Sequence, residues 1–169
     1  MPMLEAFADE TKQSCHLGVL NQANVLVIAS VSSPQPAGYS VRTGSFFPVD
    51  RTSSGHVILA FSDDATRASY LATLPKSQRS DMAARFDTIR ARGYEDTSST
   101  MVIGVRNLCV PVFDATGIIG AITSGFIEQT GDTPSAETTL TTLRQKALSL
   151  SQSLGFKREA SAFAEALAP

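Results

Sequence analysis

Two short stretches of the sequence carry the residues best suited to bind a small molecule. In the first, Thr52-Ser53-Ser54-Gly55 leads into an apolar run that is predicted to be a buried helix. The start of a helix has about four unpaired amide donors and a partial positive charge, so it attracts an anion. The alternative is that Ser53 or Ser54 only caps the helix, and from the residues alone capping is the favoured interpretation.

The second stretch, from Ile103 to Gly125, has the pattern of a β-hairpin. Two β-branched apolar runs flank a turn at residues 114–117. Asparagine is uncommon in strands, which favours a polar lining role for Asn107, and Ser124 is interpreted in the same way. The alternative for both is that they face solvent. No acid–base pair or activated nucleophile accompanies the hairpin, so the pattern favours ligand sensing over bond-breaking chemistry.

Other reactive residue types do not form a catalytic or metal-binding pattern. Cys15 and His16 are adjacent in a predicted strand, where neighbouring side chains point to opposite faces, so they do not form a dyad. His56 is expected at the edge of the buried helix or, alternatively, beside a bound carboxylate. Two histidines without clustered acids are a poor metal set, and no G-x-S-x-G, Walker or H-E-x-x-H motif is present. We therefore expect no enzymatic activity, no cofactor and no metal.

The elements that position these residues follow from hydrophobic periodicity and from turn and cap residues. They are predicted in this order: a helix over 4–11, strands over 15–20 and 25–31, a short strand over 39–41, a buried helix over 55–61, helices over 64–74 and 80–92, the hairpin within 103–125, and a long helix over 133–154. Hairpins predominate and strand–helix–strand alternation is lacking. The chain is therefore predicted to be α+β, with helices packed on an antiparallel sheet.

The long helix is predicted to begin with Thr133-Pro134, because proline suits the first helical position. Its apolar stripe is expected to pack on the sheet, since about two heptads are too few for a coiled coil. The stripe consists of Leu140, Leu143, Ala147, Leu150 and Leu154. Residues 156–169 are predicted to be an alanine-rich tail.

Length and composition limit the class of protein. The 169 residues fit one domain with a hydrophobic core, and the chain has an ordinary globular balance of hydrophobic and charged residues. A net charge of −2 does not suit a free-standing nucleic-acid binder, which is usually basic. No apolar run is long enough to span a membrane, no signal peptide is recognisable, and Cys15 and Cys109 stand alone. These features predict a cytoplasmic protein without a membrane partner.

Five segments occur in the order and at the approximate spacing of a known family. They are H-L-G-V-L at 16–20, P-V-D-R-T-S-S-G-H-V-I-L-A at 48–60, G-Y-E-D at 93–96, G-V-R-N-L-C-V-P-V-F-D-A-T-G at 104–117 and S-G at 124–125. Together they resemble the effector-binding domain of IclR-type transcriptional regulators. The resemblance covers about residues 3–155, so the whole chain, 1–169, is expected to be one effector-binding domain.

The resemblance implies a GAF/profilin-like fold, in which helices flank a curved antiparallel sheet. It also implies a pocket for a small-molecule metabolite effector, often a carboxylate, and assembly as a homodimer or homotetramer. Full-length members place a winged helix-turn-helix before this domain. The resemblance begins within the first few residues, so contact with DNA is expected only through an N-terminal domain absent from this chain.

The chain departs from the family pattern at several positions that are expected to be near the pocket. His56 replaces the usual lysine, Asn107 replaces a frequent cysteine, and Thr97-Ser98-Ser99-Thr100 replaces an acidic cluster. The expected pocket therefore loses formal charge and gains neutral hydrogen-bonding groups. The ligand-binding residues implied by the residues and the resemblance together are Tyr39, Ser53, Ser54, Gly55, Thr97, Val105, Asn107, Cys109 and Ser124.

The resulting hypothesis is a ligand-sensing domain of a transcriptional regulator. One alternative is a GAF-like redox enzyme that acts on small substrates through the Cys109 thiol. Another is a purely structural dimerisation module.

Overall fold

The structure is a computed structural model that describes residues 2–157 and Ala166. Five α-helices and six strands are described there, together with a 3₁₀ turn over Val49–Arg51. The helices are α1 (Pro2–Thr11), α2 (Ser53–Phe61), α3 (Asp64–Thr73), α4 (Lys76–Arg92) and α5 (Ala136–Ser153). The strands are β1 (Cys15–Asn21), β2 (Asn24–Val31), β3 (Phe46–Pro48), β4 (Glu95–Ser98), β5 (Arg106–Phe113) and β6 (Ile118–Phe126).

The six strands form one antiparallel sheet in the order β3-β2-β1-β6-β5-β4. The sheet has irregular register at Leu17/Gly18 and at Val112/Phe113, and such bulges bend a strand and increase its twist. The α+β class and the curved antiparallel sheet with flanking helices are therefore confirmed. The predicted hairpin is also confirmed as β5 and β6, joined at residues 114–117.

Alternation along β5 and β6 divides the core between the two faces of the sheet. On one face α2 packs on the sheet and α4 packs on α2, around a cluster that includes Val57, Leu59, Phe61, Phe86, Ile89, Cys109 and Ala121. On the other face α1 and α5 cover a cluster that includes Leu4, Phe7, Cys15, Leu108, Val110, Ile122 and Leu143. Helices thus contact both faces of β1, β2, β5 and β6, and α2 is the element closest to the strands on its face.

Helix α2 begins earlier than predicted, and its cap is Thr52 rather than Ser53 or Ser54. Thr52 has an extended backbone, with φ −129° and ψ 142°, and its hydroxyl accepts a hydrogen bond from the Gly55 amide at 3.1 Å. Gly55 is required at this point, because a Cβ there would lie 2.8 Å from the Val49 carbonyl carbon. All residues of α2 are buried, as its continuous apolar run predicted.

The short strand predicted at 39–41 is wrong, and the edge strand is β3. Phe47 pairs with Val25 of β2, which places Phe46–Pro48 at the edge of the sheet. Tyr39 lies instead in the loop before it, where its carbonyl accepts a hydrogen bond from the Ser14 hydroxyl. An edge strand of three residues that ends in proline offers little to a further strand.

Helix α5 begins at Ala136 with Ser135 as its cap, so the predicted start at Thr133-Pro134 is wrong. The Ser135 hydroxyl accepts a hydrogen bond from the Thr138 amide at 3.2 Å, which satisfies one of the free donors of the first turn. Leu143 and Ala147 are buried against the sheet, as predicted, whereas Leu154 follows the helix and is exposed. The predicted alanine-rich tail lies mostly outside the described residues.

Helix α4 is longer than the predicted 80–92 because it begins at Lys76, directly after Pro75. Its predicted glycine cap is confirmed, since Gly93 has a left-handed backbone with φ +81°.

None of the helices in the described part of the chain has the length and hydrophobicity that a membrane-spanning helix requires.

Candidate functional site

A small cavity that opens to solvent lies where the start of α2 meets the sheet and the loop before β3. Its walls combine aliphatic or aromatic side chains with hydroxyl, amide and imidazole groups. The lining residues are His16, Val25, Val27, Tyr39, Val41, Phe47, Arg51, Thr52, Ser53, Ser54, Thr100, Met101, Asn107 and Thr123. This mixture suits a small molecule that has both an apolar body and polar groups.

Two backbone amides at the start of α2 have no hydrogen-bond partner among the described residues. They are the amides of Ser53 and Ser54, and both residues line the cavity. The next two amides are occupied, because Gly55 donates to the Thr52 hydroxyl and His56 donates to the Thr52 carbonyl at 3.0 Å. An anion would therefore find two free donors and the positive end of the helix dipole here.

A chain of hydrogen bonds runs from α2 into the sheet beneath the cavity. The Ser54 and Thr123 hydroxyl oxygens are 2.8 Å apart, and the Thr123 hydroxyl donates to the Cys109 sulfur at 3.1 Å. The Ser54 hydroxyl is thus already hydrogen-bonded within the protein. The backbone amide of Ser54 is the group that remains available to a ligand.

Cys109 lies behind this floor and does not reach the cavity. It has no exposed surface, and burial raises the pKa of its thiol, although hydrogen bonds from Thr123 and Ser54 oppose the shift. A thiol that is sealed from solvent and kept protonated is a poor nucleophile. The environment therefore opposes the redox alternative based on Cys109.

Tyr39 forms part of the cavity wall by packing against the backbone of β6. A Cβ at Gly125 would lie 2.8 Å from the Tyr39 Cε1 atom, so the missing side chain makes room for the ring. The bond from Ser14 to the Tyr39 carbonyl holds the backbone of this loop. Asn107 lies opposite Gly125 in the hairpin and lines the same cavity.

The structure brings together four of the nine residues implied by the sequence: Tyr39, Ser53, Ser54 and Asn107 line the cavity. Ser124 does not, because alternation places it on the other face, where its hydroxyl donates to the Ser14 carbonyl at 2.9 Å. Thr97 lies in a separate shallow groove beside α4. The remaining three, Gly55, Val105 and Cys109, are buried behind or beside the lining residues.

Sequence reasoning placed His16 on a strand face but missed it as part of the site. His16 lies opposite Thr123 in the pairing of β1 with β6, and its side chain lines the cavity. Burial lowers the pKa of His16 to about 4, so the imidazole is neutral at physiological pH. Cys15 is buried on the opposite face, as predicted. Only the pairing of β1 with β6, which the local pattern does not reveal, places His16 beside the hairpin.

His56 is not at the edge of α2 but forms part of a buried polar cluster. Its Nδ1 lies 3.4 Å from Glu95 Oε2, and its Nε2 lies 3.1 Å from the Asp50 carbonyl oxygen. The Arg85 Nε donates to Glu95 Oε1 at 2.6 Å. Burial alone would raise the pKa of Glu95, but the hydrogen bonds and charges of His56 and Arg85 outweigh it and lower that pKa. The cluster joins α2, β4 and α4 beside the cavity.

No group of three or more histidine, cysteine or acidic side chains able to hold a metal ion occurs among the described residues. Of the residues lining the cavity, the only one with a fixed charge is Arg51, which is exposed. The cavity is therefore lined by one cationic side chain and several neutral hydrogen-bonding groups.

Comparisons with known sequences identify a family of similar proteins. The family described as bacterial transcriptional regulator IclR, C-terminal, matches residues 1–152. The Pca regulon regulatory protein of Pseudomonas putida is 25% identical over 125 residues, which are 69% of this chain and 43% of that protein. The chain spans half or less of the length of the curated relatives it matches.

Solved structures show the same fold. The crystal structure of Thermotoga maritima IclR has a TM-score of 0.77 at 23% identity, over 92% of this chain and 66% of that one. An IclR homologue from Microbacterium hydrocarbonoxydans, complexed with 4-hydroxybenzoate, has a TM-score of 0.76 at 20% identity, over 90% and 65% of the two chains. With the family match over residues 1–152, the conclusion is that this chain belongs to the family of bacterial transcriptional regulators defined by the IclR C-terminal domain.

Proposed function

We propose that this chain senses a small carboxylate metabolite in the cavity at the start of α2, and that the ligand controls DNA binding by a separate helix-turn-helix module. The observation that carries the proposal is the pair of unpaired amides of Ser53 and Ser54, since both residues line a cavity that has no acidic lining residue in the described chain. A carboxylate placed there replaces its lost hydration with two charge-assisted hydrogen bonds.

The remaining lining residues suit the body of such a ligand. Val25, Val27 and Phe47 form an apolar side of the cavity, and burial of an apolar group against them is favourable. Asn107 provides an amide that can donate and accept hydrogen bonds. Arg51 is exposed at the start of α2 and adds a positive charge that attracts the anion.

Control of DNA binding requires the ligand to have different affinities for two arrangements of the protein. We propose a homodimer or homotetramer as the assembly that changes arrangement. The loop that carries Tyr39 and the loop that carries Thr100 and Met101 both line the cavity, so a bound ligand contacts segments that can respond to it.

The matched variants Ser53→Pro and Ser53→Ala test the proposal. Ser53 is the first residue of α2 and follows the extended Thr52, so proline is compatible with the backbone while it removes one of the two free amides. The Ala variant keeps that amide. Calorimetry with a panel of small aliphatic and aromatic carboxylates, including 4-hydroxybenzoate, measures the affinities.

We expect at least one carboxylate to bind the wild type. Ser53→Ala should retain nearly full affinity, whereas Ser53→Pro should lose roughly tenfold or more, because a hydrogen bond to a charged group contributes about 1.5–3 kcal/mol. Failure of all carboxylates to bind, or equal affinities for the two variants, would contradict the proposed site.

A further inference from the structure

His16 is a polar side chain without a hydrogen-bond partner in the described part of the protein. Neither ring nitrogen has a hydrogen-bond or ion-pair partner in the described part of the chain, whereas both ring nitrogens of His56 are engaged. The ring is also open to the cavity, unlike the sealed, unpaired hydroxyl groups of Tyr70 and Thr139. An unsatisfied imidazole beside a cavity has a ligand or water as its only available partner.

The position of His16 relates it directly to the start of α2. Thr123 is the link, because it hydrogen-bonds Ser54 and lies opposite His16 in the adjacent strand. Neighbouring strands are about 4.8 Å apart, so His16 lies about one strand spacing beyond the point where α2 contacts the sheet. A compact ligand can therefore reach the amides with one end and the imidazole with the other.

The charge state of His16 determines which ligand group it accepts. Burial lowers its pKa to about 4, so near neutral pH the ring has one donor and one acceptor nitrogen and no charge. A hydroxyl or carbonyl group pairs with such a ring. A second carboxylate would lose its hydration beside a neutral ring and the apolar Val25 and Val27. The one cationic lining residue, Arg51, directly precedes Thr52 and the start of α2, at the opposite end of the proposed ligand.

We propose that His16 is the specificity-determining residue of the cavity, and that it selects monocarboxylates that carry a hydroxyl or carbonyl group at the end away from the carboxylate. The inference rests on the proposed function, because it takes the carboxylate to lie at the amides of Ser53 and Ser54. It goes further by assigning the other end of the ligand and by excluding dicarboxylates.

Two matched series of ligands test the assignment. The aromatic series is benzoate, 4-hydroxybenzoate and terephthalate, and the aliphatic series is propionate, 3-hydroxypropionate and succinate. Within each series only the group opposite the carboxylate changes, from hydrogen to hydroxyl to a second carboxylate. Each is titrated into the wild type, His16→Phe, which keeps a flat ring without nitrogen atoms, and His16→Gln, which keeps a donor and an acceptor. Circular dichroism and melting temperatures confirm that the variants fold.

In at least one series the wild type should bind the hydroxyl member about tenfold more tightly than the parent acid, and the dicarboxylate more weakly than either. His16→Phe should reduce the preference for the hydroxyl member to less than about threefold, and His16→Gln should restore part of it. A purely structural role for His16 would weaken all members equally and leave the ratio unchanged, which would overturn the inference alone. Absence of binding by every acid to the folded wild type would overturn the proposed function as well.

Discussion

At the scale of single residues, Glu95 couples the stability of the domain to pH. Its carboxylate is 6% exposed and bonded to His56 and Arg85, and these partners outweigh burial and lower its pKa below the usual 4.5. A carboxyl group with a lowered pKa in the folded state stabilises the protein fully above its unfolded pKa. That contribution is lost as the pH falls through the folded pKa.

Glu95→Gln should therefore destabilise the protein by about 2–3 kcal/mol at pH 7, because it removes the charge that pairs with Arg85 and His56. The difference from the wild type should shrink as the pH falls below about 4.5. Urea denaturation at a series of pH values measures both effects.

Asp96→Asn is the matched control for this prediction. Asp96 pairs with Arg106, but that arginine is half exposed, so the loss should stay below about 1 kcal/mol. If the two variants were equally stable at pH 7, the buried Glu95 cluster would contribute no more to the free energy of unfolding than the exposed Asp96–Arg106 pair.

The sequence predicted part of the cavity lining. Ser53 and Ser54 were chosen through the family resemblance, since residue types alone favoured capping, and Asn107 was chosen because an asparagine in a strand is a local signal; all three line the cavity. His16 gave no such signal, since its place in the site depends on the pairing of β1 with β6. Ser124 was assigned to the site by its polarity, but its partner is the Ser14 carbonyl on the other face.

At the scale of elements, α2 shows what local patterns decide and what they leave open. The apolar run Val57–Phe61 predicted a buried helix correctly. Its first residue was wrong because Thr52, Ser53 and Ser54 are all good caps, and propensity does not distinguish them. Tertiary contacts decide, since Gly55 packs tightly against Val49 and thereby positions the first turn.

Helix α5 provides a test of packing at this scale. Ala147 is 2% exposed and lies in the core cluster between α5 and the sheet. Ala147→Leu should destabilise the protein by about 1–3 kcal/mol, because the core has no room for the added methylenes without rearrangement. Thermal unfolding measures the loss.

Gln145→Leu, on the exposed face of the same helix, is the control for overpacking. It should leave the melting temperature nearly unchanged, since a surface substitution usually changes stability by less than about 0.5 kcal/mol. An unchanged melting temperature for Ala147→Leu together with a changed oligomeric state would show instead that this face of α5 is an interface between subunits.

At the scale of the whole molecule, the net charge predicts whether this chain alone binds duplex DNA. Its net charge is −2, and binding to duplex DNA depends on neutralising phosphates with lysine and arginine. We expect this 169-residue chain alone to show no sequence-selective binding. Selection from a random duplex library, followed by gel shifts at physiological salt, measures this. Enrichment of a sequence bound at sub-micromolar concentration would contradict the expectation.

The fold class was predictable because hairpin signals and helix periodicity are local, and most segments carry one or the other. The edge strand was missed because Tyr39 and Val41 have strand-like side chains, but the Ser14 hydrogen bond holds this segment in a loop. The order of the strands could not be derived from periodicity at all, since it joins segments that are far apart in the chain.

That order also determines when the cavity can exist during synthesis. β1 pairs with β6 in the middle of the sheet, and Ser14 and Ser124, which are hydrogen-bonded across this seam, are 110 residues apart. A nascent chain therefore carries the β1–β2 hairpin with one unpaired edge until β6 leaves the ribosome. Pairing over such a separation is slow, because the entropy of loop closure must be lost before the contacts form. A ligand that needs both His16 and the start of α2 thus binds only chains whose sheet has closed, and in binding them it protects completed domains from unfolding.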